Sequence, residues 1–223
     1  MKYDQVVVWG RGLAEYEDMF LLDRAPIGPV LAVAEGPSGF NAGLHARGRE
    51  VVSVDPLYQL QGEAIESKVM EAAPNILKQT HCAADQFDWS RYGDLEGLRQ
   101  ARFEALAVFL SDYRLGRAEG RYLAGALPNL PLKPGRFSLA LCSHFLFLYD
   151  QLLDLDFHLR SLEEMLRLAP EVRIYPLVNL ACQESIHLRP VIEHFRKRGV
   201  RVDLVESRYR FQKGADEFLR LNH

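Results

Sequence analysis

No hydrophobic run in this sequence is long enough to cross a membrane. The longest, Leu139 to Tyr149, is broken by Ser143 and His144 and falls well short of the roughly 18 residues a span requires. The amino-terminal Met1-Lys2-Tyr3-Asp4-Gln5 carries an acid ahead of only three valines, too short a core for a secretory signal. Cysteine is scarce: Cys82, Cys142 and Cys182 are odd in number, far apart and without metal-ligand spacing, which disfavours a disulfide framework and predicts a reducing compartment. His81-Cys82 with Asp85 lacks a second ligand pair, so no metal is expected. Neither sign of charge is in excess. With 27 Lys and Arg against 30 Asp and Glu, the chain has no broad attraction for nucleic acid or an anionic membrane. A Gly-x-Ser-x-Gly elbow and internal repeats are also missing. These absences predict a soluble cytoplasmic protein acting on a small molecule, its oligomeric state unspecified.

What is present is enough apolar residue for one large core: 48% of the 223 residues are hydrophobic, so a single domain over 1–223 is expected. Apolar runs predict strands at Val30 to Ala34, Glu50 to Val54, Phe137 to Cys142 and Glu171 to Tyr175. Helical spacing falls between them at Leu13 to Leu22, Asn41 to Arg47, Gln61 to Ala73 (stopped by Pro74), Leu152 to Leu168 and Pro190 to Arg198. Ile76 to Ala84 reads equally as strand or helix, and the third strand has no clear signal. The amphipathic stretch from Leu95 to Leu115 is too long for a plain crossover, so a helical insertion or lid over about 86–126 is expected before strand four. Val200 to Glu206 and Arg208 to Gln212 read as a terminal antiparallel hairpin, with a short tail from Gly214. Alternating strands and helices predict an α/β fold whose mainly parallel sheet is covered on both faces.

The chemistry concentrates where such strands end. After strand one comes Ala34-Glu35-Gly36-Pro37-Ser38-Gly39, whose glycines let the backbone turn and approach a ligand. Strand two ends in Asp55-Pro56-Leu57, and a carboxylate there can accept two hydrogen bonds from a ribose diol. Strand four ends in Cys142-Ser143-His144. His144 can act as a general base, its unperturbed pKa being about 6.5. Trp9-Gly10-Arg11-Gly12 mimics a dinucleotide fingerprint, but Glu15 stands where the third glycine belongs, so it reads as a packing arm or edge strand. Tyr92, Arg102, Tyr113 and Tyr122 are acceptor-side candidates because they lie in the expected insertion.

On these residues the chain resembles the S-adenosylmethionine-dependent methyltransferases with a seven-stranded Rossmann-like fold. Val30 to Gly39, Asp55 and Phe137 to Cys142 stand at that family's cofactor positions, and Val200 to Gln212 is similar to its antiparallel sixth and seventh strands. Trp9-Gly10-Arg11, Glu35 to Asn41, Val54 to Tyr58, Ser143 to Tyr149 and Val172 to Leu177 look like a bacterial subgroup known only as methyltransferase-like. The resemblance implies S-adenosylmethionine held by Ala34, Glu35, Gly36, Pro37, Ser38, Gly39, Asp55, Pro56, Leu57, Cys142 and Ser143, with His144 beside the acceptor. Three departures stand out: Ala32 replaces the acid common within strand one, Ala34 the first loop glycine, and Ser138 the usual Asp. They keep open a module that binds cofactor without turnover. A dinucleotide-dependent oxidoreductase fits the loop spacing and the terminal hairpin poorly.

Overall fold

The strands are short and, at the centre of the sheet, buried at every position. In the computed structural model, which describes residues 6–223, they are β1 (Val30–Val33), β2 (Val51–Val54), β3 (Tyr122–Leu123), β4 (Leu139–Ser143), β5 (Glu171–Tyr175), β6 (Arg201–Glu206) and β7 (Glu217–Asn222). The reading of Met1 to Gln5 lies outside the described residues. Strand order is β3-β2-β1-β4-β5-β7-β6; β1 to β5 run parallel, and β7 lies antiparallel between β5 and β6. This is the seven-stranded, mainly parallel Rossmann-like sheet that the sequence predicts. Its order reverses between β1 and β4, where ligands of such folds bind.

Helices cover both faces. On one, α1 (Leu13–Phe20) and α2 (Phe40–Ala46) bring Tyr16, Phe20, Phe40 and Leu44 against Val30 and Ala32. On the other, α5 (Leu155–Leu168) and α6 (Leu188–Lys197) place Leu162, Met165, Val191 and Phe195 against Leu31 and Val33. Between β2 and β3 run α3 (Gly62–Cys82) and α4 (Leu95–Ala118), which enclose Tyr58, Phe109, Tyr113 and Tyr122. Caps fix two of these starts: the Asp94 carboxylate accepts from Gly97 N at 2.8 Å, and that of Asp154 from Phe157 N at 2.8 Å.

Three expectations are corrected. The final strand is Glu217–Asn222, not Arg208 to Gln212: Tyr209 and Phe211 are buried in the core over β1, while Phe218, Leu219 and Leu221 fill the slot between β5 and β6. Pro74 does not end α3. It sits on the solvent face, where the Met70 carbonyl it displaces can be hydrated, and the buried stripe Ile65-Val69-Ala73-Ile76 holds the helix through it. The stretch 86–126 holds both α4 and β3, so α4 belongs to the crossover ahead of the third strand. Among the described residues no helix joins β3 to β4; a proline-containing loop does.

Candidate functional site

At the switch point, the bend after β1 and the end of β2 are tied together. Gly36 takes a positive φ of 62°, a conformation that costs a residue bearing Cβ roughly 1–2 kcal/mol, and the place its Cβ would fill is open. Its N–H donates to Asp55 Oδ2 at 2.9 Å, Leu57 N donates to Oδ1 at 2.8 Å, and the Tyr58 hydroxyl donates to Gly36 O at 2.7 Å. A carboxylate offers about four acceptor positions, so Asp55 keeps two for a ligand. Burial raises its pKa, opposed by the Leu57 and Gly36 amides.

Beside this pair opens a cavity of about 340 Å³, within the ~300–1,000 Å³ common for small-molecule sites. Of the predicted residues, Ala34, Glu35, Gly36, Asp55, Pro56, Leu57, Ser143 and His144 line it. Pro37, Ser38, Gly39 and Cys142 do not. The Trp9 to Gly12 arm lies over that part of the loop: Arg11 O accepts from Gly39 N at 3.0 Å and from Ser38 Oγ at 2.6 Å. A Cβ on Gly10 would stand 2.0 Å from Pro37 O, so only glycine allows this approach. Cys142 points into the core against α5 and α6, and burial pushes its thiol up to about 12, which removes it as a nucleophile.

His144 leaves β4 with a positive φ of 54°, and its Nδ1 shares a hydrogen bond of 2.8 Å with Ser143 Oγ. Burial, then Arg11 and Arg102, lower its pKa well below 6.5. The imidazole is therefore held in its neutral form and is a weaker proton acceptor than a free histidine. Of the acceptor-side candidates, Arg102 reaches the cavity. Tyr92 hydrogen-bonds Glu15 behind it, and Tyr113 and Tyr122 pack around Tyr58.

Glu35 is the anomalous group. It is 6% exposed, and neither carboxyl oxygen makes a full hydrogen bond. Burial raises its pKa to about 8; the nearby Ser53 and Ser38 hydroxyls and the Asn41 N–H offset only part of this, and Asp55 adds to it. Ser53, one of these hydroxyls, pairs with Ala32 across β1 and β2. The folded-state value lies above the ordinary 4.5, so the folded chain holds a proton that the unfolded chain has lost. This group's stability is full below pH about 4.5 and lost as pH rises to about 8. Glu35→Gln is expected to match wild type in thermal melts near pH ~4.5 and to exceed it above pH ~8 by up to about 5 kcal/mol. A difference that does not grow with pH would contradict this.

Several residues of the site escaped the sequence reading. Phe87, Phe211 and Gln212 line the cavity, and Glu15 backs it through Arg102; the four come from three separate segments, and Arg11 lay in the stretch set aside as a packing arm. The signal that could have found Arg11 and Glu15 was a pair of opposite charges within a short, otherwise apolar amphipathic segment.

Comparison with known proteins adds a lineage. The uncharacterised protein MJ0045 of Methanocaldococcus jannaschii is 31% identical over 215 residues, spanning 96% of this chain and 94% of that protein. This chain belongs to its family. That relative is archaeal, so the bacterial subgroup suggested by the sequence is not the family's boundary. No protein-family model matches the chain. Solved structures similar to it include a TehB-like SAM-dependent methyltransferase from Corynebacterium glutamicum: 14% identity, 91% of this chain and 84% of that one, TM-score 0.47. Another is a SAM-dependent methyltransferase from Aquifex aeolicus: 13% identity, 93% and 90%, TM-score 0.45. Likeness at this level bears on neither the site nor the reaction. Among the described residues no helix is long and apolar enough to cross a membrane, and no three His, Cys, Asp or Glu side chains converge as metal ligands.

Proposed function

We propose that the protein binds S-adenosylmethionine and transfers its methyl group to a small-molecule acceptor. The observation that carries this reading is the Gly36–Asp55 junction, a carboxylate with free acceptor positions beside an open backbone bend at the mouth of a cavity. Asp55 would accept both ribose hydroxyls, and Leu57 and Val54 would flank the base. Tyr58, by donating to Gly36 O, fixes the bend beside which the amino-acid tail would lie. The cofactor, when bound, would supply an electrophilic methyl on a sulfonium, open to an acceptor lone pair while the carbon–sulfur pair would stay on sulfur. Such a step needs in-line positioning more than a base, so a neutral His144 suits it as a hydrogen-bonding group beside the acceptor.

The test is calorimetry with S-adenosylmethionine and S-adenosylhomocysteine. Binding of both, with thermal stabilisation that grows with ligand concentration, is the expected result. Silence from both at millimolar concentration overturns the reading.

A further inference from the structure

Beyond Asp55 the cavity runs toward the ends of β4 and β5, and its chemistry changes there. Its wall becomes aromatic and apolar: Phe87 and Phe211 stack with centroids 4.7 Å apart, and Leu98 and Phe145 stand nearby. Two guanidinium groups reach this end, Arg11 and Arg102. Arg102 is already engaged, with Nη1 on Glu15 Oε1 at 2.7 Å and Nη2 donating to the Tyr92 hydroxyl at 3.2 Å. Arg11 has no such partner. Nη1 donates to Trp9 O at 3.1 Å, Nε is buried with no acceptor, and the side chain forms no ion pair among the described residues. Its charge reaches Glu15, Tyr16, His144, Tyr149, Tyr175 and Tyr209, which places it beside the ends of β4 and β5.

Arg102 and Arg11 together face a single carboxylate, Glu15, so this end of the cavity keeps a net charge of one positive. Neither Asp55 nor Glu35 forms an ion pair with Arg11. A cation largely removed from water is costly unless an anion meets it, and a planar guanidinium with free N–H groups matches a carboxylate fork. A single unbalanced charge suits a monoanion better than a phosphate dianion.

We propose that the methyl acceptor is an apolar small molecule carrying one carboxylate, with the carboxylate on Arg11 beside His144 and the apolar body against the Phe87–Phe211 wall. This rests on the methyl-transfer reading of the site. The acceptor is thereby turned with its anionic end fixed, and its reacting atom is carried into the space between His144 and the Gly36 bend.

The probes are phenylacetate, indole-3-acetate and octanoate, each paired with its neutral amide and titrated by calorimetry into protein saturated with S-adenosylhomocysteine. At least one acid is expected to bind about tenfold more tightly than its amide. Arg11→Met is expected to abolish that preference and Arg11→Lys to keep part of it, with melting temperatures close to wild type. Equal binding of acid and amide, no binding of any acid, or a preference that survives Arg11→Met overturns the proposal. A second arm compares S-adenosylhomocysteine with 5′-methylthioadenosine, which lacks the amino-acid tail. If Arg11→Met weakens the first about tenfold and spares the second, Arg11 serves the cofactor's own carboxylate and the acceptor assignment falls. If neither nucleoside binds wild type, the methyl-transfer reading fails; the acids titrated alone then still report whether Arg11 selects a carboxylate.

Discussion

Asp55→Ala is expected to weaken S-adenosylhomocysteine binding by about two orders of magnitude. Two hydrogen bonds from a ribose diol to an ionised, buried carboxylate contribute ~1.5–3 kcal/mol each, and ~3 kcal/mol in total corresponds to about 100-fold. The same substitution strips the acceptor from Gly36 N and Leu57 N, so the free protein should also lose about 1–3 kcal/mol of stability. Asp55→Asn separates the two effects. It keeps an oxygen for one amide but turns an NH2 toward the other, so it should melt nearer to wild type while still binding the nucleoside poorly. Calorimetry on both variants is the check, and wild-type affinity in Asp55→Ala would place the nucleoside elsewhere.

Arg102→Leu is expected to destabilise the fold by about 3–5 kcal/mol, because it strands Glu15 as an unpaired buried charge. Glu15 is where α1, α4 and the segment before β7 meet: Arg102 Nη1 at 2.7 Å, Tyr92 OH at 2.5 Å and Tyr209 OH at 3.2 Å all donate to its Oε1. Burial by itself would raise the pKa of Glu15, but Arg102, Arg11, the Tyr92 hydroxyl and Gly12 N–H together hold it down at about 2. The folded-state value lies below the ordinary 4.5. Stability from this group is therefore full above pH about 4.5 and falls by roughly 3 kcal/mol as pH drops toward about 2. In Arg102→Leu that dependence should reverse, since protonation then relieves the stranded charge. Adding Glu15→Gln to Arg102→Leu should recover much of the loss. Urea melts across acid pH measure all three, and an unchanged acid limb in Arg102→Leu would show that Arg102 does not hold Glu15 ionised.

The two variants probe different halves of one cavity, and those halves were unequally legible. The Gly36–Asp55 half could be read because each partner is marked locally. A glycine at a sharp strand-to-helix bend and an acid closing an apolar strand are both consequences of backbone geometry within a few residues. The other half is built from positions 11, 15, 87, 102 and 211, with the Glu15–Arg102 contact alone spanning 87 residues. No local pattern encodes that meeting. The misplaced final strand has the same origin: 208–212 alternates as a strand would, but Glu217–Asn222 carries the leucines that fit between β5 and β6.

By itself, then, the sequence determined the elements whose cause is short-range: buried valine-rich strands, amphipathic helices, the Gly36 bend and Asp55 closing β2. Only the tertiary structure decided which loop ends share a cavity, that Arg11 faces it without a direct ion pair among the described residues, that Glu35 is buried without a full partner, and that His144 is held neutral. Strand and helix periodicity is set by neighbours a few residues away. Burial, charge pairing and pKa depend on what the rest of the chain places alongside, and distant segments are brought there only by closing the sheet and packing helices over it.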